Sequence, residues 1–163
     1  MKLIATKLGK SDKYDQLDCV RADGSVTKAM MPRQGVLPHD LIHYVVESVL
    51  GYRHGFLGLV AQGVDIAFAM QQTHEIAHRQ IAEQAHHAES LVESLQAQLW
   101  SGQFLPEDFW AGLEGACAMR GCASPDLSGI NPKIDLYDAV LALNQRWLQV
   151  PFYATLELEM SHL

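Results

Sequence analysis

The stretch Leu37 to Leu50, LPHDLIHYVVESVL, constrains the fold more than any other part of the chain. Pro38 suits the first turn of a helix, where its missing N–H is one of the unpaired donors, and Asp40 brings negative charge to the positive end of the macrodipole. A helix is therefore expected from about Leu37. At roughly 100° per residue, Leu41, Ile42, Val45, Val46, Val49 and Leu50 share one broad apolar face that has to be buried. His39, His43 and Glu47 recur every fourth residue and, with Asp40, make a ridge along one edge of that face, reading HDxxHxxxE.

Two imidazoles one turn apart can hold a single divalent ion, and a carboxylate one turn further on can complete the site or orient a histidine. His39 and His43 are thus the expected ligands, with Asp40 or Glu47 as third ligand or general base and zinc as the first ion to consider. The plainer reading is that His39 and Asp40 satisfy the open amides of the first turn while His43 and Glu47 form a boundary pair. The element resembles the signature of a bacterial family of uncharacterised hypothetical proteins, PHDLxHxxxE followed by a glycine-spaced segment. Here these are Pro38, His39, Asp40, Leu41, His43 and Glu47, then Gly51, Gly55, Gly58, Ala61 and Gly63. The resemblance implies a similar fold and carries no activity with it.

Before this helix, Lys2 to Leu8, Gln16 to Arg21 and Ser25 to Met30 read as three short antiparallel strands, the last two joined at Asp23-Gly24, a pair that tight hairpin turns favour. After it, Gly51, Gly55 and Gly58 punctuate a short helical segment and would let another helix approach closely. It contains neither a GxGxxG nor a GxxxxGK[ST] loop. From about Ile66 to Trp100 there is no proline or glycine, and Ala85, Ala88, Val92, Leu95 and Leu99 continue an apolar stripe begun by Ile66, Met70, Ala77 and Ile81. A straight helix of that length would measure about 50 Å. Such length in a small domain suggests self-association along the stripe.

Within this helix, His74-Glu75-Ile76-Ala77-His78 is a literal HExxH. In zincin metalloproteases its histidines hold zinc and its glutamate is the general base, but no glycine turn and third histidine follow here. Glu89, Glu93 and Glu107 are the carboxylates that could serve as a gluzincin-like third ligand, and the first two fall toward the polar side of the helix. A further helix begins at Leu105-Pro106 and buries Phe109, Leu113 and Ala116. After a loop from Gly121 to Pro132, Asp135 is expected to cap another helix, with the stripe Leu136, Val140, Leu143 and Trp147, ended by Pro151. Phe152 to Met160 alternates with period two and should pair with the N-terminal strands.

The expected architecture is one α+β domain spanning 1–163, with a small, mostly antiparallel sheet of three N-terminal strands and one C-terminal strand beside about five helices, one of them long. With 12 Lys and Arg against 19 Asp and Glu, the net charge of −7 argues against nucleic acid as a partner. The N-terminus has no signal-peptide core and no apolar run is long enough to cross a bilayer, so a cytoplasmic protein without a membrane partner is expected. The three cysteines, Cys19, Cys117 and Cys122, have no metal-knuckle spacing and read as buried thiols. Three functions fit these features. The first is a self-associating structural, interaction or small-ligand-binding domain with a metal site at His39, His43 and Glu47. The second is a metal-dependent hydrolase using His39 and His43, and the third a zincin-like protease using His74, Glu75 and His78.

Overall fold

The computed structural model describes residues 1–69 and 79–163. Strands β1 (Lys2–Thr6), β2 (Tyr14–Val20), β3 (Val26–Pro32) and β4 (Thr155–Glu159) form one antiparallel sheet in the order β3-β2-β1-β4. Alternation fixes its two faces. Leu3, Ala5, Leu17, Cys19, Met31 and Leu158 point into the core, while Lys2 pairs with Glu157 and Lys28 with Asp18 on the open side.

Five α-helices cover the inner face among the described residues: α1 (His39–Leu50), α2 (Phe56–Ala61), α3 (Arg79–Ser101), α4 (Pro106–Met119) and α5 (Asp138–Gln149). A π-helical turn, Pro132–Tyr137, leads into α5. One continuous hydrophobic core runs from Met1 to Met160 and takes residues from the sheet and from α1 through α5. The α+β architecture and the pairing of the chain ends in one sheet are those expected from the sequence. Among the described residues no helix is long and apolar enough to cross a membrane.

Several local expectations are corrected. Helix α1 starts at His39, with Pro38 as an extended N-cap whose carbonyl accepts the first helical bonds from Leu41 and Ile42. Its buried face holds Leu41, Ile42, Val45 and Val46, but Val49 is exposed in the last turn, since the helix ends two residues later at Gly51, which takes the left-handed conformation at φ 63°. The β2–β3 turn is not a two-residue one. Arg21 and Ser25 bond across three residues and Gly24 alone has positive φ, so the left-handed position belongs to the glycine and not to Asp23.

Ile66 lies in a turn, its amide bonded to the Thr27 hydroxyl, so the long helix does not begin there. Asn131, not Asp135, caps the helical segment before α5. Its side chain accepts from the amides of Lys133 and Ile134, and Asp135 returns a bond to the Asn131 amide. Phe152 and Tyr153 precede β4 in a turn and are exposed.

The section of α3 from Ala88 to Leu99 is enclosed by its own chain. α1 packs on one side and α4 on the other, and between Ala88 and Leu99 only Ala97 is exposed and Glu93 half-buried. Leu91 and Leu95 are fully buried at this junction. Leu95→Ala should therefore lower the unfolding free energy by about 2–5 kcal/mol in urea titrations. Met119→Ala, at an exposed helix end, should change it by less than about 0.5 kcal/mol.

Candidate metal centre

His43 stands at the centre of a buried polar cluster. α1 carries it into the core on the edge of its apolar face, where Phe56 covers the ring at a centroid distance of 4.9 Å. Its side chain is 1% exposed and that of Glu47 is 0% exposed. Nδ1 lies 3.0 Å from Glu47 Oε1 and Nε2 lies 3.1 Å from Glu89 Oε2 on α3. Carboxylates only accept, so both ring nitrogens donate and the ring is an imidazolium. Burial alone would push its pKa down, but the hydrogen bonds to Glu47 and Glu89 carry it up to about 9.

Glu47 is held from behind. Oε1 also accepts the Leu57 amide at 3.1 Å, and Oε2 accepts the Gly58 amide at 3.0 Å, at the start of α2. This explains part of the glycine pattern. A Cβ on Gly55 would fall 2.4 Å from the Glu47 carboxyl carbon, and one on Gly58 would fall 2.4 Å from the Arg53 carbonyl oxygen. These glycines admit a carboxylate and a backbone turn rather than a neighbouring helix. Glu47, expected as third ligand or general base, thus sits behind His43 with both oxygens engaged, where its geometry suits it to orient the ring.

The third group facing the histidines is Glu89. Its Oε1 lies 3.2 Å from His39 Nε2, and one ring nitrogen from each of His39 and His43 together with a Glu89 oxygen lie within 4.8 Å of one another. Burial alone would raise the Glu89 pKa, but hydrogen bonds from His39 and His43 hold it well below the usual carboxylate range. Glu89 was placed toward the polar side of its helix by the sequence. It occupies the edge of the apolar stripe, shared with Gln96 two turns on, and α1 covers that edge. Both residues are buried. A carboxylate and an amide seven residues apart beside a stripe was the signal available for it.

The surrounding groups extend the cluster. His39 Nδ1 approaches Gln96 Oε1 at 3.4 Å, Gln96 donates to Gln34, and the Gln34 carbonyl accepts from Trp100 Nε1 at 3.2 Å. Arg120, at the end of α4, grips Glu93 through two bonds and stands 4.0 Å from Glu89 Oε1. Half-buried Asp40 accepts no side-chain hydrogen bond among the described residues. Removal from water raises its pKa from the ordinary aspartate value against the attraction of His43 and His39. His39 is 24% exposed, so the cluster meets solvent on its side.

His74, Glu75 and His78 lie outside the described residues. Cys19 and Cys117 are buried and Cys122 is half-buried, and none belongs to the cluster. Comparison of the chain with protein-family models, with curated proteins and with solved structures gives no match.

Two measurements check this geometry. His43 has a folded pKa above its ordinary 6.5, so its contribution to the metal-free protein is complete below about pH 6.5 and lost as pH rises through about 9. Glu89, with a lowered pKa, contributes above the ordinary carboxylate range and loses that contribution as pH falls. Metal-free protein should accordingly be most stable near pH 5 to 6.5 and lose stability toward pH 9, with the alkaline loss absent in His43→Gln. Gly55→Ala, by displacing the Glu47 carboxylate, should lower the urea midpoint by the equivalent of about 1–3 kcal/mol.

Proposed function

We propose that the protein binds one divalent metal ion, zinc first among candidates, through His39 Nε2, His43 Nε2 and the Glu89 carboxylate. The observation that carries this is the convergence of one ligand atom from each of these three residues within 4.8 Å, with Glu47 locked onto Nδ1 of His43. An ion there takes the place of the Nε2 proton while Glu47 keeps the Nδ1 proton and hence the ring orientation. His43 Nε2 lies 3.1 Å from Glu89 Oε2 and His39 Nε2 lies 3.2 Å from Glu89 Oε1, each separation being near the ligand-to-ligand distance around an ion with bonds of about 2.0–2.1 Å. Two neutral imidazoles and one carboxylate leave a net positive ion with a coordination position toward the exposed side of His39.

That open position favours a metal-dependent hydrolase as the second reading. A site closed by four protein ligands is structural, whereas three ligands leave room for a water whose pKa the ion lowers. Asp40, raised in pKa and within the field of both histidines, is the candidate general base. Self-association belongs to the same reading only if surfaces other than the enclosed section of α3 supply it. The acidic balance supports a protein without a nucleic-acid partner. Membership of the PHDLxHxxxE family is part of this proposal, with Glu89 as the acidic partner of its two histidines.

Elemental analysis of protein purified without a metal-affinity tag tests the proposal. Wild type should carry, or take up from added zinc, close to one ion per chain, and His39→Ala/His43→Ala and Glu89→Gln should each lose it while keeping a folded circular dichroism spectrum. Metal content unchanged in folded variants, or wild type that takes up no ion, would overturn it. For the second reading, hydrolysis should vanish in Asp40→Asn with the ion retained.

A further inference from the structure

A second site lies apart from the histidine cluster. Between the end of β1, the strap of residues 33–38 and the C-terminal end of α5 is a cavity of about 330 Å³, within the range of small-molecule pockets. Its walls are apolar and partly aromatic, from Val36, Trp147, Leu148, Val150 and Phe152, and its polar residues are Lys7, Arg33, Asp15 and the uncharged Gln34. None of the three proposed metal ligands lines it.

The charges are unequal. Asp15, almost fully buried, is taken up by Arg33, which reaches its two oxygens at 2.6 and 3.1 Å and also holds the carbonyls of Leu8 and Gly9. That pair is internally neutral. Lys7 has no carboxylate. Its ammonium donates to the Trp147 carbonyl at 2.6 Å and more weakly to that of Leu148 at 3.5 Å, and it stands 4.8 Å from the centre of the Trp147 ring. An ammonium has three donors, so one remains without an acceptor among the described residues. A protein of net charge −7 has thus placed an uncompensated cation at the edge of an apolar cavity.

The cavity is also preformed. The Lys7 amide donates to the Ala154 carbonyl and the Lys7 carbonyl accepts from the Tyr153 amide, which fixes the turn carrying Phe152 against β1. Tyr153 holds a φ of 65°, the one non-glycine residue with positive φ among those described, and its hydroxyl lies over Gly9, where a Cβ would come within 2.5 Å. Strain of this kind persists where the surroundings determine the backbone, and it clusters at binding sites.

The geometry points to this cavity as a binding site for a small monocarboxylate with an aromatic or branched apolar body, its carboxylate on Lys7 and its body between Trp147 and Phe152. The chemistry of recognition is that of an apolar slot with one charged anchor. Burial of the apolar body supplies most of the affinity, and the charge-assisted bond to Lys7 selects the acid over neutral analogues. The strap ties the site to the rest of the fold, since Arg33 lines the cavity while its neighbour Gln34 bonds to Gln96 beside His39.

Phenylacetate and its neutral analogue phenylacetamide are suitable probes, followed by amide NMR shifts on the full chain. Phenylacetate should move the resonances of residues 147–153 and of Lys7 saturably and bind at least about tenfold more tightly than phenylacetamide. Lys7→Met should abolish the difference between acid and amide. Phe152→Ala, at a side chain 47% exposed and thus safe for folding, should weaken both. Protein treated with EDTA should bind phenylacetate as untreated protein does, which separates this site from the metal reading. The proposal is overturned if phenylacetate gives no saturable shift up to about 10 mM. It is equally overturned if acid and amide bind alike to wild type, or if Phe152→Ala leaves both affinities unchanged. Should Lys7→Met fail to fold, the acid-to-amide ratio in wild type and the Phe152→Ala result decide it.

Discussion

A buried imidazolium between two carboxylates is the interaction on which the arrangement of helices depends. Glu47 lies one turn from His43 on α1, and Glu89 comes from α3, so the ring links the two helices at the point where both enter the core. Burying three ionisable groups would cost several kcal/mol apiece without partners, and removing one member of such a set costs about 3–5 kcal/mol. The partners are in place: Glu47 takes two backbone amides of α2, and Glu89 takes His39 with Arg120 nearby. The apolar residues beside them, Leu41, Ile42, Val46, Leu91 and Leu95, contribute roughly 1.5–3 kcal/mol each, which outweighs the residual cost of the polar cluster.

The charge count within the cluster gives it chemical interest. Two carboxylates face one imidazolium at His43, and the excess negative charge falls on the Glu89 side, where His39 opens to solvent. A divalent ion bound as proposed would compete with the proton on His43 Nε2 for the same place. It would satisfy both histidines and the carboxylate at once, whereas the proton satisfies one nitrogen. Glu47 is indifferent to the exchange because it holds the other nitrogen, and its own anchoring explains why glycine stands at position 55.

Period and punctuation made most of the fold legible. The alternation in β1 to β4, the stripes of α4 and α5 and the turn residues located the elements and the pairing of the chain ends, and the ridge on α1 located two of the three converging groups. Glu89 was hidden because helical spacing gives the angle of a side chain but not which neighbour covers it. At the edge of a stripe, burial is decided by the position of α1, more than forty residues away in sequence. The choice between Glu47 as ligand and Glu47 as the group that orients a histidine was open for a related reason: the wheel puts it beside His43 but does not say which ring nitrogen it meets. The glycines were read as helix contacts, whereas Gly55 and Gly58 answer to a carboxylate and a carbonyl. Asn131 displaced Asp135 as a cap because the helical segment already begins at Pro132, with a π-helical stretch ahead of α5 that the α pattern did not include.

The state of the His43 ring tests this account most directly. In metal-free protein at pH 7.5, nitrogen-15 spectra of the imidazole should show both ring nitrogens protonated, each with a proton slowed in exchange with water. One equivalent of zinc should remove the Nε2 proton signal and leave the Nδ1 proton on Glu47. A neutral ring with a single proton at that pH, or a doubly protonated ring that zinc does not change, would contradict it.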